Sequence, residues 1–334
     1  MSLPLSQFDI TPKSYYHVHV WADYLEILCL VSVDQSLSKG DILDRVRTTT
    51  DDLSGGGSND IEENDLEDGE DADHLAPAQI NDKWVARVND WFKHLSYRSY
   101  AFSDAYPFTL SISEDVLEVK KSFTIEEKLY IFLLLCANLR YCRSSTSILT
   151  RTFERLSADA LRSCLADTAE VHVFGTSETG VGHYTGNFWK KITDLAQDLG
   201  EKLCVKEDDL PKPNYGDGGL DVVAWVPTGD SNAHRIVVFG QCACTEEWES
   251  KQYTATDTKW RQTMTLSAGV STIVFIPHSL RQADGSWHDK TNIATIMMDR
   301  LRFMYLLKDK LSSFESSNSR HIVEQVTAQR ETVF

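Results

Sequence analysis

An aspartate and a glutamine on two neighbouring apolar segments have the clearest chemical potential in this chain. Asp221 opens the segment 221–226, and Gln241 ends the segment 236–241. If the two segments pair as strands, the carboxylate and the amide meet at one end of the sheet, beside a glycine-rich turn. Hard cations such as Mg²⁺ (or Mn²⁺) prefer carboxylate, amide and backbone oxygens. The sequence therefore predicts a divalent-cation pocket formed by Asp221 and Gln241, with Asp217 as a further oxygen ligand.

Each of these residues also has an ordinary structural interpretation. Asp217 lies in a Gly-Asp-Gly-Gly stretch, and Asp-Gly pairs favour tight turns. A buried Gln241 must find hydrogen bonds, so its amide could equally tie two strands together. Cys242 and Cys244 alternate along a strand and share a face, a pattern more typical of buried, inert thiols than of a redox or metal site.

The elements that must position these residues fall in the second half of the chain. Hydrophobic patterning predicts helices and short strands in the order helix, three strands, helix, strand, helix. The helices are expected over 186–203, from 246 with an interruption near 254–257, and over 293–311; the strands are expected over 204–206, 221–226, 236–241 and 271–277. The segment 170–175 is interpreted as a short strand or a link.

The first half is predicted to be mainly helical. Apolar positions at helical spacing predict a helix over 81–97, a capping box from Thr124 to Glu127 opens a helix over 125–140, and a further helix is expected over 146–166. Glycine, serine and unopposed acid predict a disordered insertion over 48–80. We therefore expect a helical N-terminal region over 1–166, an α/β domain over 167–312 and a polar, frayed tail over 313–334.

Composition limits the functional classes. The formal charge is −17, but residues 51–73 hold eleven acids and no base, so the remaining chain carries −6. That balance argues against a general nucleic-acid coat protein, and any nucleic-acid surface must be a local basic patch. The chain has no Gly-x-Ser-x-Gly and no His-Glu-x-x-His motif, which argues against two large hydrolase classes.

Cysteine usage and hydropathy indicate the compartment. The seven cysteines are scattered, odd in number and without a Cys-x-x-Cys pair, a pattern typical of reduced thiols and not of a zinc site. The start lacks a basic and apolar leader, and the longest apolar run, 129–139, is well short of the ~20 residues that span a bilayer. A soluble, cytoplasmic protein without membrane contact is expected.

The order of these elements, with Asp221 and Gln241 where they fall, resembles the core of the PD-(D/E)XK, or restriction-endonuclease-like, nuclease superfamily. The resemblance covers about residues 170–280. It implies an α/β (α+β) fold in which helices flank a mixed β-sheet. In that family an Asp at the start of the second core strand and a Glu or Gln on the third bind Mg²⁺. A Lys two residues later positions or activates water, and the first core helix often adds a carboxylate.

Transferred to this sequence, the resemblance assigns Asp221 and Gln241 to the metal-binding positions. The lysine position falls on Ala243, which can neither donate a hydrogen bond nor hold a charge. Some family members supply the lysine from the following helix, and Lys251, on the same helical face as Trp248, is the candidate here. Three acids of the predicted 186–203 helix could add a carboxylate: Asp194, Asp198 and Glu201.

The resemblance implies Mg²⁺-dependent hydrolysis of DNA phosphodiester bonds, in bacterial restriction or anti-phage defence, with homo-oligomers or defence-complex proteins as partners. The basic residues expected to contact DNA are Lys190, Lys191, Lys251, Lys259 and Arg261. Two alternatives stay open. Ala243 suggests a catalytically inactive nuclease fold that serves as a binding or scaffold subunit, and the substrate could be RNA or a nucleotide.

Overall fold

The computed structural model of this chain describes residues 5, 11–12, 16–54, 77–111, 115–175, 182–210, 216–245, 248–288 and 292–332. The predicted insertion over 48–80 lies largely outside them, at 55–76. Its flanks, 48–54 and 77–80, belong to the neighbouring helices. No helix in the described ranges combines the length and the apolar character needed to cross a membrane.

The first half is mainly helical, as predicted. Its elements are α1 (Val18–Val31), β1 (Ser36–Ser38), α2 (Lys39–Ser54), α3 (Pro77–Phe102), β2 (Phe108–Ser111), β3 (Val116–Val119), α4 (Ile125–Cys136) and α5 (Thr146–Cys164). The three strands form a small antiparallel sheet in the order β1-β3-β2. The capping box is confirmed, because Glu127 N–H donates to Thr124 Oγ1 and Thr124 N–H donates to the Glu127 carboxylate.

The second half forms a mixed five-stranded sheet with helices. Its elements are β4 (Glu170–Val173), α6 (Phe188–Leu199), β5 (Val222–Trp225), β6 (Val237–Cys242), α7 (Trp248–Lys251), α8 (Asp257–Trp260), β7 (Val270–Phe275), β8 (Ile296–Met298), α9 (Arg300–Leu307), α10 (Ser312–Glu315) and α11 (Asn318–Ala328). The strand order is β4-β5-β6-β7-β8. β4, β5 and β6 are antiparallel, whereas β7 and β8 run parallel to their predecessors. The predicted α/β class with a mixed sheet is confirmed.

The sheet begins with a different strand from the predicted one. The strand beside β5 is β4, whose Val171 and Val173 point to the same face of the sheet. The predicted strand over 204–206 is wrong, since Leu203 makes only an isolated bridge to Met264 and the residues after it are mostly exposed. The helix that directly precedes the sheet is therefore α5, and α6 lies between β4 and β5.

The C-terminal part also differs from the prediction. The expected helix over 293–311 begins with β8, which pairs with β7, and α9 starts only after the N-cap Asp299. A three-residue apolar run fits a buried strand as well as a helix, so hydrophobic pattern alone cannot separate them. The expected frayed tail is wrong for 313–328, because α10 and α11 bury Phe314, Val323 and Val326 completely.

One hydrophobic core runs across the predicted boundary between residues 166 and 167. It joins α1, α4 and α5 to one face of the large sheet and to α9 and α11; its members include Leu28, Leu133, Phe153, Val222, Phe275, Phe303 and Val326. The opposite face of the sheet packs against α6 and α8 through Phe239, Ile192 and Trp260. The sheet thus lies between two layers, each of which buries one of its apolar faces.

A buried ionic network reinforces this core. Arg98 of α3 donates to Asp23 and Glu26 of α1 at 2.7 and 2.8 Å. Arg300 of α9 donates to Asp23 at 3.0 Å and to the hydroxyl of Tyr130 at 3.2 Å. Both arginine side chains are fully buried. Buried charges are tolerated only when they are paired and hydrogen-bonded, as these are.

Candidate functional site

Asp221 and Gln241 are in direct contact. The antiparallel register of β5 and β6 places Val222 opposite Gly240, so the residues just outside this pair meet at the strand ends. Gln241 Nε2 donates to Asp221 Oδ2 at 2.5 Å, and the Cys242 N–H donates to the same oxygen at 2.7 Å. Both side chains are buried. The structure thus brings together the two residues that the sequence predicted to converge.

The turn before β5 holds Asp217 near this pair. Gly218 and Gly219 both have positive φ, 65° and 80°, which glycine adopts without strain. The Gly219 N–H donates to Asp217 Oδ1 at 2.7 Å, so Asp217 does stabilise the turn. The same turn leaves Asp217 close enough to raise the pKa of Asp221.

A second carboxyl group, that of the half-buried Glu154, reaches the site from α5. Gly175 follows β4, and a Cβ at that position would lie 2.8 Å from Glu154 Oε2 and 3.3 Å from Asp221 Oδ1. The two carboxyl groups therefore face a common point that is open only because residue 175 has no side chain. We refer to Glu154, Asp217 and Asp221 as the carboxyl cluster.

Burial and mutual repulsion raise the pKa values of Glu154 and Asp221. Burial, followed by the charge of Asp217, raises the pKa of Asp221 to about 7, although hydrogen bonds from Cys242 and Gln241 and the charge of Lys251 oppose this shift. Burial, followed by repulsion from Asp221 and Asp217, raises the pKa of Glu154 to about 8. Near neutral pH the cluster therefore retains protons, which a bound cation would displace.

The buried lysine at this site is Lys191 of α6. Its Nζ donates to the carbonyl oxygens of Phe174 and Gly175 at 3.0 and 2.7 Å, and its side chain is 4% exposed. Burial lowers the pKa of Lys191, while Asp217 and Glu154 oppose the shift. The residue was predicted to contact DNA from the surface; the structure places it against the carboxyl cluster instead.

The two other positions considered for a lysine differ in their surroundings. Ala243 is buried and packs with Trp248 and Val274, so an apolar cluster fills that position. Lys251 is exposed, yet its charge partly opposes the rise in the pKa of Asp221. Lys251 therefore lies within electrostatic reach of the carboxyl cluster.

The remaining predicted DNA contacts are exposed and partly engaged. Lys190 pairs with Asp194 at 2.7 Å, and Arg261 pairs with Asp257 at 2.6 Å. Lys259 Nζ donates to the Gly218 carbonyl at 2.9 Å, which places it at the edge of the site. Their predicted role as DNA contacts stays a prediction.

The carboxylate contributed by a helix comes from α5 and not from α6. Asp194 is occupied by Lys190, Asp198 accepts from Tyr184, and Glu201 accepts from Thr265 and Ser267. Sequence reasoning missed Glu154. One signal in the sequence could have indicated Glu154. It is an acid between the apolar residues Phe153 and Leu156, at the edge of the buried face of the helix that precedes the first strand of the sheet.

The donor groups at this site match a hard cation in kind. Glu154 and Asp221 offer carboxyl oxygens, and the Cys242 carbonyl, which accepts from Gln241 Nε2 at 3.1 Å, is a further oxygen at this strand end. Gln241 turns its amide nitrogen to Asp221, while its Oε1 accepts from the Thr254 hydroxyl at 2.9 Å. Because a hydroxyl can accept as well as donate, rotation of the amide would keep a bond to Thr254 and turn Oε1 towards Asp221.

The side chains do not form a ready metal cage. Among the residues that the structure describes, no three His, Cys, Asp or Glu side chains are arranged to hold a metal ion. The carboxyl cluster nevertheless has the donor types that Mg²⁺ or Mn²⁺ requires, and rotation of the Gln241 amide would add a further oxygen. Comparisons of the chain with protein-family models, with curated proteins and with solved structures found no match.

Proposed function

We propose that this protein is a metal-dependent nuclease with a restriction-endonuclease-like fold that hydrolyses phosphodiester bonds in DNA. The observation that carries the proposal is the convergence of Glu154 and Asp221 beside Gly175, at a strand end that also presents Gln241 and the Cys242 carbonyl. Holding a buried and a half-buried carboxyl group together raises both pKa values and is unfavourable when they are ionised. A divalent cation is the partner that would offset this repulsion.

The topology supports the fold part of the proposal. A helix, α5, precedes three antiparallel strands, β4 to β6, and the short helices α7 and α8 lead to the parallel strand β7. This is the element order of the resemblance once α6 is treated as an insertion between the first two strands. A role in bacterial restriction or anti-phage defence belongs to the same proposal.

In this proposal the residues of the site have two roles, metal binding and stabilisation of charge on the phosphate. A bound Mg²⁺ or Mn²⁺ supplies charge neutralisation at a phosphate oxygen and lowers the pKa of water. Asp221 and Glu154 would hold it from the sheet and from α5. Lys191 donates to two carbonyl oxygens and would supply a positive charge to stabilise the charge that develops on the phosphate.

A second candidate function, a non-catalytic binding or scaffold subunit, is favoured by the hydrogen bonds of Asp221. Its Oδ2 accepts from both Gln241 and Cys242, and Ala243 leaves the family's lysine position without a charge. In this alternative the polar contacts between β5 and β6 are structural, and Glu154 and Asp221 keep their protons.

Cleavage assays with matched variants separate the two functions. Supercoiled plasmid and end-labelled linear DNA would be incubated with the protein in Mg²⁺, Mn²⁺ or EDTA. We expect metal-dependent cleavage that falls about 100-fold or more in Asp221→Asn and in Glu154→Gln. Asp82→Asn, an exposed acid of α3, is the matched control and should retain full activity.

Two other results would contradict the proposal. Cleavage that is unchanged in Asp221→Asn would reject this site. A wild-type protein that neither cleaves in either metal nor binds Mn²⁺ in calorimetry would reject the nuclease and support the scaffold.

A further inference from the structure

A groove opens on the far side of Glu154. It has a volume of about 670 Å³ and lies between α5, β4 and the junction of α10 and α11. Glu154 lines this groove and also belongs to the carboxyl cluster, so the groove adjoins the candidate active site through this side chain. A volume in the range of ~300–1,000 Å³ suits a ligand of small-molecule size, and therefore a short length of one strand rather than a duplex.

Three arginines of α5 line the groove in a chain whose net charge is −17. Arg151 and Arg155 are one helical turn apart, and Arg162 follows two turns later, so all three share a face that spans about 16 Å. Arg155 is exposed. Arg162 donates to Asp159 and to the Val171 carbonyl, which fixes it at the edge of β4.

Two stacked histidine rings also line the groove. The rings of His172 and His183 stack at 4.1 Å, and the Trp225 ring lies 5.2 Å from that of His172. Burial, followed by His183, lowers the pKa of His172, so its ring is a neutral surface near pH 7. His183 is held by Asp198 at 2.6 Å. A groove that combines basic side chains with aromatic rings is the arrangement with which proteins bind single-stranded nucleic acid.

We infer that this groove binds a single DNA strand and guides it to the carboxyl cluster. Arg151 and Arg155 contact successive phosphates, while an unpaired base stacks on His183, whose side chain is 41% exposed. The inference rests on the proposed nuclease function for its biological meaning, but the binding itself requires neither metal nor cleavage. It also explains how a strongly acidic chain can bind a polyanion, since three arginines share one face of α5 in the groove.

Binding in EDTA tests this groove separately from catalysis. The probes are a fluorescein-labelled oligo-dT and a labelled hairpin duplex, followed by anisotropy over a range of salt concentrations. We expect the wild type to prefer the single strand and Arg155→Ala to bind it about tenfold more weakly. The slope of log affinity against log salt should fall by about 0.7 in this variant, as expected for one lost phosphate contact.

Arg330→Ala is the matched control. Arg330 is exposed and follows the C-terminal end of α11, whereas Asn318 at the other end of that helix lines the groove. The 11-residue helix separates them by about 16 Å, which exceeds the Debye length of ~10 Å at 0.1 M salt. Arg330→Ala should therefore bind like the wild type.

The results separate this inference from the proposed function. Wild-type affinity in Arg155→Ala, an equal loss in Arg330→Ala, or equal binding of duplex and single strand would overturn the groove assignment, even in an active nuclease. Arg155-dependent binding of the strand by a protein that never cleaves would support the groove and reject the nuclease.

Discussion

Arg300 donates a hydrogen bond of 3.0 Å to Asp23, a residue 277 positions earlier in the chain. This contact joins the helix that follows the large sheet to the first helix of the N-terminal half. Burial alone would raise the pKa of Asp23, but Arg300 and then Arg98 hold it below its ordinary value. The two halves are therefore joined by charge as well as by the shared hydrophobic core.

Arg300→Met should destabilise the whole protein. Removing one partner leaves Asp23 buried with less compensation, which costs about 3–5 kcal/mol in comparable buried pairs. Chemical denaturation followed by circular dichroism measures the loss in the free energy of unfolding. Lys308→Met, at an exposed position at the end of α9, should change it by less than about 0.5 kcal/mol. Equal effects of the two substitutions would show that the network contributes nothing specific.

Glu154→Gln should change how stability depends on pH in EDTA. The folded-state pKa of Glu154 is raised from 4.5 to about 8, so the folded state binds more protons than the unfolded state within that window. The contribution of Glu154 is fully present below pH 4.5 and is lost as the pH rises through about 8. Wild type should therefore lose stability relative to Glu154→Gln between pH 5 and 8. Parallel unfolding curves across this range would contradict the raised pKa.

Gln241→Glu should have opposite effects with and without metal. In EDTA the new carboxylate faces Asp221 in place of an amide donor, which should cost about 1–3 kcal/mol of stability. In Mn²⁺ the additional charged ligand should tighten binding, measured by calorimetry, and recover the melting temperature. Gln262→Glu, a substitution outside the site, is the control. If Mn²⁺ failed to rescue Gln241→Glu selectively, Gln241 would not be a metal position.

The two candidate lysines should contribute unequally to cleavage. Lys191 is buried beside Glu154 and Asp217, whereas Lys251 is exposed and acts at a distance. We expect Lys191→Met to reduce kcat about 100-fold or more and Lys251→Met to reduce it about tenfold or less. Melting temperatures measured in parallel distinguish lost chemistry from lost folding. A larger effect at Lys251 would restore the assignment based on the family pattern.

The sequence was sufficient to predict the central contact. The glycine-rich turn, the apolar runs that follow Asp221 and precede Gln241, and the capping box at Thr124 are local signals, and the structure contains all three. Local signals could not show that α6 lies between β4 and β5. Glu154 was missed for this reason, since its proximity to Asp221 depends on which strand comes first in the sheet.

Other differences arise where two structures satisfy the same pattern. Ile296–Met298 is apolar enough for a strand or a helix, and only pairing with β7 decides between them. The residues after 312 are mostly polar in sequence, yet Phe314 is buried in α10 and three apolar residues bury one side of α11. Lys191 appeared to be a surface residue because its burial depends on the carbonyl groups of residues 174 and 175.

The helix Thr146–Cys164 has a practical consequence for shortened clones of this protein. Its Phe153 and Leu156 lie in the core shared with α9 and α11, while Glu154, between them in sequence, points to the candidate active site. A shortened protein that begins at β4 would lack the acidic group of Glu154 and would leave an apolar face of the sheet exposed to water. Expression of the C-terminal half alone should therefore yield insoluble material, and in vitro work needs the helices that precede it.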